Sequence, residues 1–279
     1  MGKSILKSAA YCTRFVVALI IALFQAPRRK HHVLAFPISK KKFIRKISGR
    51  PALEIGPFDN PYLKGEGVSY FDVLDQVGLR KRAELYGRHV DGCPSIEFVS
   101  NVGDLSVVDK EFSVAFSSHV IEHQPDLIRH FNEVERFLKT DGRYYLIIPD
   151  KRFTFDFYIP TSSYHEVKSA HSKGQILHSE DAIRAHYMCT THNNAIQHWL
   201  GIHGKINNSG YPRELDDALD MHRSGKYVDV HAWTFTPESF RTMIIDLTNS
   251  GAIGLELEQV FDTRFGALEF FAVLRVINR

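Results

Sequence analysis

The sequence has little with which to staple a fold covalently: three cysteines in 279 residues, Cys12, Cys93 and Cys189, scattered and without a C-x-x-C pair. An odd, dispersed set excludes a disulfide framework and fits a reducing compartment. Charge of one sign is also scarce. Thirty-five basic residues against 32 acidic leave a net charge of +3, too mild to mark a nucleic-acid binder, and none is expected as a partner. Long hydrophobic runs are short as well. Phe15 to Phe24 (FVVALIIALF) is apolar on every face, but it is about half of the roughly 20 residues a spanning helix needs. No internal repeat is visible, and no G-x-G-x-x-G run is present.

What is there begins with a basic, apolar segment over 1–48. Lys3, Lys7 and Arg14 precede the apolar run, Arg28, Arg29 and Lys30 follow it, and Lys40 to Lys46 add further charge. A signal peptide fits poorly, because Phe24 occupies the −3 position if Ala26 is at −1. A helix resting on the anionic cytoplasmic membrane face accounts for both features. A helix packed on the domain accounts for them equally, and a cleaved or disordered leader less well. The expected setting is cytoplasmic, with peripheral membrane contact as one outcome. Gly2-Lys3-Ser4 lacks the glycine and strand of a P-loop, Leu6 stands where myristoylation wants Ser or Thr, and Asn207-Asn208-Ser209 is a sequon only in a secreted chain.

From Pro51 onward short apolar runs alternate with longer amphipathic stretches. Ala52 to Gly56, Val68 to Leu74, Ile96 to Ser100, Phe112 to Ser118 and Arg143 to Pro149 read as strands, and Asp75 to Tyr86 as a helix. The spacing predicts another helix over Asp126 to Lys139: Leu127, Ile128, Phe131, Val134, Phe137 and Leu138 form one apolar stripe. Gly142 is expected to supply the left-handed turn that ends it. After Asp150 the rhythm changes, with one helix expected from about Glu180 to Leu200, capped by Ser179. Thr236-Pro237-Glu238 starts a helix running to about Asn249. Gly254 to Val260 and Ala267 to Val276 then close the sheet as an antiparallel hairpin. The fold class is therefore α/β, Rossmann-like, with a mostly parallel sheet, an antiparallel C-terminal hairpin and a cap insertion. The domain reading is a cofactor-binding half over 49–150, a cap over 151–232 and the closing elements over 233–279.

In an open α/β sheet, ligands bind beyond the carboxyl ends of the strands. Gly56 there admits a ligand close to the backbone. Asp72, or Asp75 as the alternative acid, can accept hydrogen bonds from two adjacent ribose hydroxyls. Glu54 lies inside an apolar strand and needs a partner: a ligand's ammonium group, or an ion pair within the protein. A dinucleotide is disfavoured, since Pro57 and Pro61 remove backbone donors, Asp59 repels phosphate, and a dozen residues cannot hold a long phosphate-binding helix. S-adenosylmethionine, which has no phosphate and carries a cationic sulfonium, suits the loop better.

These residues also resemble a family. Ala52-Leu53-Glu54-Ile55-Gly56-Pro57 looks like methyltransferase motif I. The stretch Phe112 to Asp150, with His119-Val120-Ile121-Glu122-His123 after a strand and Leu138-Lys139-x-x-Gly142 after a helix, resembles class I methyltransferases of the type 11 kind. Lys151 to Asp156 is similar to a bacterial subgroup found near glycan-building genes. Two departures stand out: the first crossover is much shortened, and Ser113 replaces an acidic residue. The resemblance implies S-adenosylmethionine as cofactor, with Glu54, Gly56 and Pro57 near its methionine end and Asp72 on the ribose. It implies Asp104 and Leu105 near the adenine, and Ser118 and His119 at the mouth. Glu122 and His123 read as structural.

The implied reaction is methyl transfer to a small-molecule or glycan acceptor, at a hydroxyl oxygen, for which His119 is the first candidate base and Asp150 the second. The alternative is a non-catalytic scaffold of the same fold that regulates a partner. The insertion holds seven histidines from His165 to His203, but no H-E-x-x-H and no tight pair with an acid, so no metal is expected. Lys151, Arg152, Arg184 and the aromatics Phe153, Phe155, Tyr158, Tyr187 and Trp199 suit an anionic or sugar-like acceptor, or simply pack the cap.

Overall fold

The computed structural model describes residues 34–47, 49–206 and 212–277. The apolar run Phe15 to Phe24, most of the N-terminal segment and the Asn207 sequon lie outside the described residues. Among the described residues no helix is long and apolar enough to cross a membrane.

The chain enters with β1 (Leu34–Ala35) and α1 (Lys40–Arg45), whose Ser39 side chain accepts the Lys42 N–H. There follow β2 (Ala52–Ile55), β3 (Val68–Asp72), α2 (Gln76–Leu85), β4 (Phe98–Val99), β5 (Phe112–Ser118), α3 (Leu127–Phe137) and β6 (Leu138–Pro149). Between β6 and the last helix lie α4 (Tyr164–Ser172), α5 (Glu180–Cys189), α6 (Ala195–Trp199) and α7 (Pro212–Arg223). The chain closes with α8 (Pro237–Asn249), β7 (Leu255–Phe261) and β8 (Glu269–Val276). The eight strands form one sheet in the order β4-β3-β2-β5-β6-β8-β7-β1. β4 through β6 in that row run parallel, whereas β8 is antiparallel to both β6 and β7. This is the α/β, Rossmann-like architecture expected, with its antiparallel C-terminal strands.

Strand alternation divides the core into two layers. Leu53, Ile55, Ala115, Leu146, Ile148 and Phe270 point to one face, where the apolar stripes of α3 and α8 cover them. Ala52, Val114, Phe116, Tyr145, Ile147 and Phe271 point to the other, covered by Phe43 and Ile47. The short basic helix α1 is thus amphipathic, its Lys41 and Lys42 outward and Phe43 wholly buried.

Three elements differ from the sequence reading. The left-handed residue after α3 is Asp141 (φ 63°) rather than Gly142. A Cβ on Gly142 would meet the Lys139 carbonyl oxygen at 2.7 Å, so this glycine is required for close approach within the strand. The expected helix over Glu180 to Leu200 is two helices, because Asn194 accepts the Gln197 N–H and starts a second one. Helices α4 and α7 were not expected. The former starts on a capping box in which Ser163 and Glu166 exchange side-chain to backbone bonds.

Phe43 stacks on Phe271 at a ring separation of 4.7 Å and meets Tyr145 and Phe261 edge-on at 5.6 and 5.9 Å. Phe43→Ala should therefore destabilise the chain by about 3–5 kcal/mol, read as a lower urea midpoint at unchanged slope. An unchanged midpoint would mean that α1 contributes nothing to the folded domain.

Candidate active site

The strand ends converge where β2, β3 and β5 finish. Gly56 follows β2 in the left-handed region (φ 71°), and its N–H bonds to the Phe71 carbonyl at 2.9 Å. A Cβ there would lie 2.8 Å from Val120 Cγ2, so glycine is needed for both conformation and space. Pro57 is buried beside it, and Phe58 is again left-handed (φ 47°).

Asp72 ends β3 and is 6% exposed. Burial pushes its carboxyl above the ordinary value, against the N–H groups of Leu74, Val73 and Phe58 and the charge of Arg82. The Leu74 N–H reaches Oδ1 at 3.3 Å. The carboxylate therefore joins the β3 end to the Gly56–Phe58 turn while keeping acceptor capacity. Asp75, the alternative acid, instead accepts the Gly78 N–H at 2.7 Å as the cap of α2.

Glu54 is engaged by its own loop. Its oxygens accept the N–H groups of Tyr62 and Leu63 at 2.9 and 2.8 Å, and the residue is 2% exposed. Burial pushes its carboxyl up to about 7, opposed by those two N–H groups and by Lys64.

At the end of β5, His119 is left-handed (φ 54°), a strained position for a residue with a Cβ. Its Nε2 lies 3.1 Å from Glu269 Oε2 and its Nδ1 3.5 Å from Glu122 Oε1, with the side chain 36% exposed. Burial opposes the charged ring, but the hydrogen bond to Glu269 and the charges of Glu122 and Glu269 prevail and raise its pKa. Glu269 also pairs with Lys40 Nζ at 2.7 Å, and that amine donates to the Tyr62 hydroxyl at 3.1 Å. A polar chain thus runs from the loop after β2, through Lys40 and Glu269, to His119 beside a half-buried Ser118. Lys40 and Glu269 escaped the sequence reading because the elements carrying them, α1 and β8, are far apart in the chain and no spacing links them.

Two of the expected site residues are withdrawn by the structure. Leu105 is 0% exposed in the core, so no adenine ring can touch it, while the preceding Asp104 accepts the Ser106 N–H at 2.7 Å. Asp150 is also 0% exposed, and its oxygens accept from Arg152 Nε, Arg152 Nη2 and the Thr263 hydroxyl at 2.6–3.1 Å. A base held this way cannot reach an acceptor. Among the cations offered for an anionic acceptor, Arg152 is paired with Asp150 and Asp262, Arg184 with Glu180, and Lys151 donates to the Phe157 carbonyl. Phe153 stacks on Trp199 at 3.9 Å. Arg152 ties the insertion to the strand ends, and the other contacts lie within the insertion.

Residues 74–146 match a family model described as a methyltransferase domain. Over that stretch, about a quarter of the chain, it is similar to S-adenosylmethionine-dependent methyltransferases. Among solved structures it is similar to the CcbJ methyltransferase from Streptomyces caelestis, at 14% identity over 84% of this chain and 92% of that one, with a TM-score of 0.43. It is also similar to an S-adenosylmethionine-dependent methyltransferase from Aquifex aeolicus, at 10% identity over 85% and 89% of the two chains, TM-score 0.41. A third, the mitomycin 7-O-methyltransferase MmcR, is 12% identical over 82% of this chain and 50% of that one, TM-score 0.38. No curated protein matches the sequence. The strand ends that precede that stretch fit the cofactor it implies: a glycine where a Cβ would clash follows β2, and a buried carboxylate ends the neighbouring β3.

Glu54 makes the domain's stability depend on pH. With its folded pKa at about 7 against 4.5 unfolded, the fold retains a proton that the unfolded chain gives up between those values. Stability should fall by roughly 3 kcal/mol as pH rises from about 4.5 to 7, then level off. Urea midpoints across that range should flatten in Glu54→Gln, which carries no titrating proton; an unaltered slope in the variant would remove Glu54 as its source.

Proposed function

We propose that the chain transfers a methyl group from S-adenosylmethionine to a hydroxyl oxygen of a small-molecule or glycan acceptor. The observation that carries this reading is Asp72, a nearly buried carboxylate at the β3 end, tied by Leu74 and set against the Gly56 turn. A carboxylate there suits the two hydroxyls of a ribose, and the phosphate-free cofactor suits a loop whose Pro57 and Pro61 offer no N–H.

When bound, the cofactor supplies an electrophilic methyl carbon on a sulfonium. Gly56 admits it close to the backbone, Asp72 holds its ribose, and Asp104 borders the adenine end. Glu54 acts at one remove by fixing the loop over Tyr62 and Leu63 that borders the methionine end. Most of the acceleration comes from alignment, since displacement at carbon needs nucleophile and leaving group in line. Ser118 and His119 stand at the mouth, where His119 takes the acceptor's proton. Nδ1 has the longer contact, 3.5 Å to Glu122 Oε1, and is the nitrogen that takes the proton, with Glu269 orienting the ring through Nε2. The segment 151–232 forms the acceptor's side of the pocket.

A non-catalytic scaffold is the second reading, favoured by the engagement of Glu54 with its own loop and of both His119 nitrogens with acids. Calorimetric titration separates the two. S-adenosylmethionine and S-adenosylhomocysteine should bind and NAD should not, and Asp72→Ala should weaken binding by about 1.5–3 kcal/mol, roughly 10- to 150-fold. Absence of binding to the folded wild-type chain would sink the enzyme reading. With an acceptor in hand, His119→Ala should lower kcat by roughly 100- to 10,000-fold at unchanged cofactor affinity; a normal kcat would exclude it as the base.

A further inference from the structure

Where the turn after β5 meets the end of the insertion, three side chains converge whose joint arrangement the proposed reaction does not use. Glu122 and His123, from the turn Ile121–His123, and His231, just before α8, each bring one donor atom to within 4.8 Å of the others. Glu122 is 0% exposed, yet neither of its oxygens accepts a hydrogen bond. Its nearest nitrogens are His119 Nδ1 at 3.5 Å and His123 Nε2 at 4.0 Å. A buried carboxylate without a donor is strongly disfavoured unless something positive answers it.

Both histidines are oriented by carboxylates on their other nitrogens. His123 Nδ1 lies 2.9 Å from Asp229 Oδ1, and His231 Nδ1 lies 2.6 Å from Asp156 Oδ2. A proton held on His231 Nδ1 leaves that ring a lone pair on Nε2, and His123 Nε2 lies 4.0 Å from a carboxylate that accepts no hydrogen bond. Lone pairs and an anion repel one another. A cation among them reverses the sign of every term. The carboxylate–imidazole pairs match the outer shell that fixes metal-bound histidines.

We propose that Glu122, His123 and His231 bind a divalent cation of the zinc type, with Asp229 and Asp156 as positioning residues. Two imidazoles and a carboxylate suit zinc better than magnesium or calcium, which favour oxygen throughout. Donors bound at about 2.1 Å stand at most about 4.2 Å apart, so binding draws the cluster inward by rotation of the side chains. Three protein donors leave a fourth position for an oxygen ligand. The ion would tie the turn after β5 to the insertion, since His231 and Asp156 belong to the far side of that junction. The site stands independently of the methyl-transfer reading.

The test is metal binding by the full chain after chelator treatment and dialysis. Titration with Zn2+ should fill one site per chain, and Co2+ should give the visible bands of a four-coordinate nitrogen–oxygen site that Zn2+ then displaces. His231→Ala should abolish those bands, and Asp156→Asn should weaken Zn2+ affinity about 10- to 100-fold. His203→Ala is the control, because His192, His198 and His203 form a separate ring cluster. Three results would overturn the proposal: no Zn2+ bound by the folded wild-type chain, Co2+ bands that survive His231→Ala, or bands lost in His203→Ala alone. Circular dichroism of each variant guards against misfolding, and the Co2+ spectrum of the wild type does not depend on any variant.

Discussion

The structure depends on two hydrogen bonds from a loop to a single carboxylate. A parallel strand pair needs a crossover, usually through a helix that supplies its own backbone pairing. Here the crossover between β2 and β3 contains no helix, and its N–H groups must find acceptors elsewhere. Glu54 accepts two of them, at Tyr62 and Leu63. The consequences radiate outward. Tyr62 meets Phe116 edge-on and Lys40 through its hydroxyl, Lys40 meets Glu269, and Glu269 meets His119. One carboxylate on the innermost part of the sheet thus sets the position of a loop, a helix and a strand-end histidine.

The strongly periodic parts of the chain were legible from residues alone. Strand β5 coincides with the reading Phe112 to Ser118, and α8 ends at Asn249 as its Thr236-Pro237 start implied. The apolar stripe of α3 is the buried stripe. What was not legible depended on polar side chains competing for backbone groups. The break between α5 and α6 arises where Asn194 caps the second helix, and the start of α4 rests on the Ser163–Glu166 exchange. Neither produces a hydrophobic period. Asp141, not Gly142, adopts the left-handed conformation, because an aspartate tolerates it while the glycine is needed for lack of volume.

The site was legible where chemistry follows from position at a strand end, and illegible where it follows from partners. Gly56 and Asp72 can be read from the ends of two strands. Asp150 looks equivalent in sequence, one residue past β6, but Arg152, Thr263 and Asp262 close around it. No local pattern separates an aspartate that keeps acceptor capacity from one that anchors a turn. Leu105 fails for the opposite reason: its apolar side chain was claimed by the core, where it is wholly buried. Glu122 and His123 read as structural because their third partner, His231, follows an insertion of four helices.

Backbone strain and charge meet at the same place. Of the three described non-glycine residues with positive φ, Phe58 and His119 flank the Gly56 turn and the end of β5, while Asp141 lies in β6. Strain of this kind costs of order 1–3 kcal/mol per residue and persists only where surrounding contacts over-determine it. For His119 those contacts are ionic: Glu122 on one nitrogen and Glu269 on the other, with Lys40 balancing the second acid. The ring is held by charge rather than by packing. Neutralising either acid therefore acts on the backbone as well as on the ring, by removing one of the two forces that keep His119 in its left-handed conformation. The placement of the His119 ring and the strain of the strand end are, in this fold, one mechanical system.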